Sequence, residues 1–247
     1  MPIAPTIASR GMMKSLRTRL NRAGFDITRE PFHFRFVRMI QRLGIDTVID
    51  IGANTGQFAE ELRAARFAGT ILSVEPLGAA YAQLLAASQP DDTWTPVRAA
   101  VSSEPGTLTL NVSGNSVSSS VLDMLPLHSD AVPSSSYVST EEVRATTVDQ
   151  LMADYSLQPG SSLLKIDVQG FEQSVLDGAS ATLGSFAAVQ MELSLAPLYA
   201  GGALMPEMVA RMEAAGFDLW LTEPAFIDPE TGRMYQCDGV FVNRTFS

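Results

Sequence analysis

A chain of 247 residues, 46% hydrophobic and 18% charged, has material for one large buried core and no compositional case for disorder. Its single cysteine, Cys237, excludes an internal disulfide and any C-x-x-C metal spacing, which fits a reducing cytoplasm. The net charge of −10 disfavours nucleic acid as a partner, because phosphates are repelled over most of such a surface.

That charge is uneven. Residues 1–42 carry nine Lys or Arg against Asp26 and Glu30, so the segment is +7 and the remainder −17. Within it Met12, Leu16 and Leu20 recur every four residues with cations opposite, the pattern of an amphipathic helix. Gly24 ends that run, and Pro31 precedes a second, Phe32 to Leu43, stopped by Gly44. Residues 1–43 therefore read as a basic helical arm ahead of a main domain over 44–247. The arm either packs on the domain with its cations solvated or meets an anionic membrane surface. No apolar stretch approaches the ~18 residues that cross a bilayer. The start, Met1-Pro2-Ile3-Ala4-Pro5, puts its basic residues after the apolar ones, the reverse of a secretory signal. The expected location is the cytoplasm, with peripheral contact at the inner membrane face if the arm binds lipid.

From Ile45 the texture alternates. Thr47 to Ile51 is a β-branched apolar run, the signature of a buried parallel strand, and Gln57 to Ala65 follows as a helix. Thr70 to Val74 is a second strand, Ala79 to Ala87 a helix and Trp94 to Val101 a third strand. Thr107 to Val112 alternates like an edge strand, and Ser113 to Tyr137, rich in Ser, Pro, Asn and Gly, reads as a long surface loop. Thr147 to Tyr155 is helical with Thr147 as its cap, Ser162 to Val168 a strand, Glu172 to Leu183 a helix and Ala187 to Leu193 a strand. A helix over Pro206 to Ala215 and strands over Phe217 to Thr222 and Gly239 to Asn243 close the chain. Such alternation means a doubly wound α/β sheet with its ligand at the carboxyl ends of the strands, near the topological switch point.

The stretch V-I-D-I-G-A-N-T-G, Val48 to Gly56, is the most informative. Gly52 lets backbone approach a ligand, and the helix after Gly56 begins with unpaired N–H groups that suit a carboxylate or phosphate. Asp50 and Asn54 offer an acceptor and a mixed donor-acceptor to an amino group, so an amino-acid-like end fits here. Glu75 closes the second strand, where an acid pairs with ribose hydroxyls. A nicotinamide-type G-x-G-x-x-G requires glycine at 54, and Asn54 stands there instead.

Alongside G-I-D-T-V-I-D-I-G-A-N-T-G-Q-F, the chain carries S-V-E-P, N-S-V-S-S-S-V-L, L-L-K-I-D-V-Q-G-F-E, V-Q-M-E-L and D-G-V-F-V-N in order between Gly44 and Asn243. This set resembles the FkbM family of S-adenosylmethionine-dependent methyltransferases. The resemblance implies a seven-stranded, Rossmann-like methyltransferase sheet with its last strand antiparallel, and methylation of hydroxyls on sugars, glycolipids, polyketides or related metabolites. It further implies that Asp50, Gly52, Asn54, Gly56 and Glu75 hold the cofactor and that Ala100 borders the adenine.

Methyl transfer to an alcohol is an in-line displacement in which the hydroxyl proton must leave, so a base or a bound cation is needed nearby. Lys165 and Asp167 share a side of one strand, as Gln190 and Glu192 do on another, and Asp167 with Glu192 could converge on one pocket. A base with an orienting partner is favoured over a divalent-metal site, since two carboxylates are few for a metal. Asp167 can instead pair structurally with Lys165, and Glu172 can serve as a helix cap. His128 has the intrinsic pKa for base work, but an isolated histidine in a long loop is usually solvated. Asn115, Ser118, Ser119 and Ser120 are the candidate lining of the acceptor pocket, and Asp238 reads only as the start of the final strand. A nicotinamide-dependent oxidoreductase and a non-catalytic scaffold remain the alternative functions, the first weakened by Asn54 and by the lack of a Tyr-x-x-x-Lys pair.

Overall fold

The computed structural model describes residues 32–246 together with Arg19 and Arg22. The expected Met12, Leu16, Leu20 stripe lies outside the described residues. Helix α1, Phe32–Arg42, buries Phe36, Val37 and Ile40 and leaves Arg35, Arg38 and Arg42 on its exposed side. Gly44, at φ 74°, ends it, with Ile45 N–H donating back to the Ile40 carbonyl. The second half of the expected arm is thus part of the core.

Strand β1, Thr47–Ile51, is buried along its length between two helical layers, with three apolar residues flanked by Thr47 and broken only by Asp50. Helix α2, Gln57–Ala64, strand β2, Thr70–Val74, helix α3, Gly78–Ser88, and strand β3, Trp94–Val97, complete the first half. The run expected as one strand to Val101 divides after Val97. Strand β4, Ala100–Val101, leaves the main sheet and pairs with β6, Tyr137–Thr146, which also pairs antiparallel with β5, Gly106–Ser113. The connection read as a structureless loop holds helix α4, Pro126–Ala131, and a 3-10 turn, Pro133–Ser135, and β6 itself lies where no strand was expected. Glu142 and Arg144 face out while Val143 and Ala145 face in; Glu141, half-buried on the inner face, accepts from Gly78 N–H at 3.1 Å.

Helix α5, Val148–Asp154, is capped by Thr147, whose side chain accepts from Gln150 N–H at 3.1 Å. Strand β7, Ser162–Ile166, leads into helix α6, Glu172–Asp177. That helix stops short of Leu183 at its cap Gly178, which approaches the Ser102 carbonyl so closely that a Cβ there would sit 2.1 Å from its oxygen. Strand β8, Ala188–Ser194, helix α7, Met205–Ala214, and the long strands β9, Phe217–Ile227, and β10, Met234–Asn243, finish the fold.

The main sheet has seven strands in the order β3-β2-β1-β7-β8-β10-β9. Strands β3, β2, β1, β7 and β8 pair parallel, and β10 runs antiparallel to both its neighbours. On one face Val48, Leu163, Ala188 and Val240 pack against α1, α2 and α3. On the other, Ile49, Ile51, Leu164, Ile166 and Met191 pack against α5, α6 and α7. Order reverses between β1 and β7, and the crevice beyond their carboxyl ends is where such a sheet binds ligand.

Candidate active site

A polar row crosses the buried sheet on the face of α1 to α3. Ser73 of β2, Asp50 of β1, Lys165 of β7 and Gln190 of β8 stand opposite one another in register. Trp94 Nε1–H donates to Ser73 Oγ at 2.9 Å, and that hydroxyl donates to Asp50 Oδ2 at 3.3 Å. Asp50, fully buried, pairs through Oδ1 with Lys165 Nζ at 3.0 Å. The ammonium also reaches Asp167 Oδ2 at 3.4 Å and lies over the Phe58 ring at 5.3 Å. Burial pushes the lysine toward neutrality, but Asp50 and Asp167 outweigh it, and the net effect holds Lys165 above its ordinary value. Asp50 therefore sits beneath the site as the partner that keeps Lys165 charged.

Above this row opens a cavity of about 510 Å³. Gly52, Ala53, Asn54, Glu75, Leu77 and Ala99 to Val101 line its first half, at the ends of β1, β2 and β3. Gly52 holds φ 78°, and a Cβ there would meet the Asp167 carbonyl oxygen at 1.8 Å, so glycine is required by the neighbouring strand. Asn54, at φ 48°, turns its own N–H onto Glu75 Oε2 at 2.9 Å, and Leu77 N–H donates to Oε1 at 2.8 Å. Burial still raises Glu75 to about 7. Gly56 does not line the cavity: it lies against the Trp94 ring and starts α2 in a left-handed conformation.

The second half is lined by Lys165, Asp167, Gln169, Gln190, Glu223 and Asp238, with Phe32, His33, Phe58 and Glu61 toward α1 and α2. Asp238 is not the start of a strand but lies within β10, opposite Glu192 on β8 and Glu223 on β9. Burial, and then the Asp167 charge, raise it to about 6. Glu192 does not line the cavity, yet it joins Asp167 through one amide: Gln169 Nε2–H donates to Asp167 Oδ1 at 2.9 Å and to Glu192 Oε2 at 3.0 Å. Burial and the charges of Asp167, Glu172 and Asp238 hold Glu192 well above its ordinary value. Glu172, buried, accepts from Gly170 N–H at 3.0 Å and is raised by burial to about 7.

Ser119 and Ser120 line the cavity with Ser116 and Val117, while Asn115 and Ser118 do not. The hydroxyls are largely committed within their own loop: Ser119 Oγ–H donates to the Ser116 carbonyl at 2.8 Å, and Asn115 Nδ2–H donates to Ser118 Oγ at 3.1 Å. Ser120 Oγ–H donates to the Gln169 carbonyl at 2.7 Å, tying this loop to the carboxylates. His128 is neither solvated nor at the cavity. It is buried in α4 with its ring 5.3 Å from that of Tyr199, and burial lowers its pKa.

Gln169, Gln190, Glu223 and Asp238 are functional candidates that residue patterns alone did not single out. For Asp238 a signal existed: it shares a face with Val240 and Val242, and an antiparallel strand brings its beginning to the carboxyl ends of the parallel ones. Among the described residues, no three His, Cys, Asp or Glu side chains are grouped to hold a metal ion.

Residues 50–219 match the family model of the methyltransferase FkbM domain. Among solved structures the chain is similar to methyltransferase FkbM from Methylobacillus flagellatus KT, at 12% identity and a TM-score of 0.46. That match covers 81% of this chain and 44% of the other, so the chain spans less than half the length of that protein. It is also similar to 1,6-didemethyltoxoflavin-N1-methyltransferase from Burkholderia thailandensis, with bound 1,6-didemethyltoxoflavin and S-adenosylhomocysteine (13% identity, TM-score 0.43, 98% and 92% covered). A third is Aeropyrum pernix fibrillarin in complex with S-adenosyl-L-methionine (11% identity, TM-score 0.41, 80% and 66% covered). A search of curated proteins finds no match.

Proposed function

Because the chain belongs to the FkbM family of S-adenosylmethionine-dependent methyltransferases, we propose that it methylates a hydroxyl oxygen of a sugar, glycolipid, polyketide or related metabolite, with Asp167 as the base. One observation carries the reading: Glu75 and Asp167 line the same continuous cavity, so a cofactor subsite and a carboxylate subsite share one space.

The residues present fit S-adenosylmethionine. The Glu75 carboxylate, raised to about 7 by burial, gains from two hydroxyl donors such as a ribose diol. Ala99, Ala100, Val101 and Leu77 form an apolar wall suited to a purine, and Asn54 with Gln57 offers amides to an amino-acid end. The bound cofactor supplies an electrophilic methyl group on a sulfonium. Asp167 takes the hydroxyl proton of the acceptor on Oδ2, since Oδ1 is engaged by Gln169. Lys165 remains an ammonium and cannot be the base; it donates to the acceptor oxygen and holds it in line. Glu192 stands behind Asp167, joined to it by the Gln169 amide. The cluster of carboxylates and amides on the acceptor side suits a molecule with several hydroxyls.

Isothermal titration of the full-length protein with S-adenosylhomocysteine and with NAD tests the cofactor. We expect binding of the first and not of the second, and Glu75→Ala should weaken it by about 1–3 kcal/mol, the loss of a charge-assisted hydrogen-bond partner. NAD binding in its place would return the chain to the oxidoreductase reading, and unchanged affinity in Glu75→Ala would remove the ribose assignment.

A further inference from the structure

We propose that Gln169 is a positioning residue for the acidic pair, its amide oriented by Tyr199 so that Asp167 and Glu192 are held in one fixed arrangement beside the acceptor. The proposal rests on the reading of Asp167 as the base. The backbone makes the geometry. Gln169 at φ 54° and Gly170 at φ 95° are two consecutive left-handed residues, and they turn the Gln169 side chain back beside Asp167. Gly170 admits Tyr199: a Cβ on the glycine would lie 2.8 Å from the tyrosine Cβ. Ser120 Oγ–H fixes the same turn by donating to the Gln169 carbonyl at 2.7 Å.

The orientation of the amide follows from its neighbours. Tyr199 O–H donates to Gln169 Oε1 at 2.7 Å, which leaves the NH₂ group for the carboxylates. Turned over, the amide oxygen would face the Asp167 and Glu192 oxygens and neither of its N–H groups would reach them. Tyr199 itself is locked, buried, with its ring edge-on to His128. Burial and the Glu192 charge raise its pKa, so it stays a donor. Gln236 Nε2–H also donates to Glu192 Oε2, at 2.6 Å, so that oxygen receives two N–H groups. The charged and titratable groups facing the pair are Lys165 from β7, Glu172 from α6, Asp238 from β10 and Tyr199 from the segment after β8.

A donor on Glu192 favours its ionised form. Replacing that donor with an acceptor must move the Glu192 titration upward. The test is a carboxyl-carbon NMR titration of the full chain saturated with S-adenosylhomocysteine, in wild type, Gln169→Glu and Tyr199→Phe. Gln169→Glu keeps the size of the side chain and its contact with Tyr199 but puts a third carboxylate beside the pair. We expect the Glu192 midpoint to rise by about one pH unit or more in Gln169→Glu, and by less in Tyr199→Phe, where the amide is free to turn. A merely structural role would lower the melting temperature and leave that midpoint in place. A wild-type Glu192 midpoint in both variants overturns the proposal. Failure of the base reading is separate: Asp167→Asn would then retain methyl transfer, whatever the titrations do.

Discussion

Glu172 is a buried carboxylate whose backbone donors do not fully offset its loss of solvation, and its pKa rises from an ordinary 4.5 to about 7. The folded state therefore takes up a proton that the unfolded chain would release. The stability this confers is full below about 4.5 and is lost as pH rises through about 7. Glu75 follows the same course for the same reason. The wild-type protein without cofactor should accordingly melt higher at pH 5.5 than at pH 8. Glu172→Gln keeps an acceptor for Gly170 N–H and removes the charge. It should stabilise the protein at pH 8 by on the order of 2–3 kcal/mol and be neutral near pH 5. Thermal melting at the two pH values decides it. Equal melting of wild type and variant at pH 8 would mean that the charge is better solvated than its burial indicates.

Gly52 sits where three elements meet: the end of β1, the turn into α2 and the Asp167 segment after β7. Its φ of 78° and the 1.8 Å approach of the Asp167 carbonyl leave no room for a side chain. Gly52→Ala should destabilise by about 2 kcal/mol or more in denaturant unfolding, and wild-type stability would show that the turn has slack. At this scale much was legible from the sequence. The strands β1, β2, β7 and β8 are short and mostly buried with apolar residues on both faces, and the order of the alternating units implies the sheet. The β6 strand was not legible, because its inward residues are few and Glu141, Glu142 and Arg144 make it read as polar coil. The break after Val97 was hidden for a related reason: Ala100 and Val101 look like a continuation of β3 and only pairing with β6 separates them. Glu75 and Asp167 stand just past the ends of β2 and β7 and line the cavity, a placement legible from their spacing; Asp50, expected to meet the cofactor, is instead buried beneath the cavity and paired with Lys165. Gln169 was not legible, since its contacts depend on two left-handed residues and on Tyr199, thirty positions away. His128 misleads in the opposite sense, as a polar residue in a Ser-rich stretch that the fold buries against two aromatic rings.

The whole molecule sets a −17 body after a +7 segment, and α1 carries Arg35, Arg38 and Arg42 on its exposed side while its other face belongs to the core. Among the described residues no helix is long and apolar enough to cross a membrane. The antiparallel β10 and the edge strand β9 bring Asp238 and Glu223 to the Asp167 side of the cavity, so the cavity is complete only when the last strands close the sheet. The proposed function reduces to one chemical event, passage of a methyl group to a hydroxyl whose proton goes to Asp167. The most direct test is transfer of radiolabelled methyl from S-adenosylmethionine to sugar, glycolipid and polyketide extracts, by wild type and by Asp167→Asn. The account predicts a product whose label survives mild base, as an ether does and an ester does not. It also predicts a loss of about 100-fold or more in turnover for the variant, with S-adenosylhomocysteine affinity unchanged. Label on nitrogen or in a base-labile ester, or full turnover by Asp167→Asn, would contradict it.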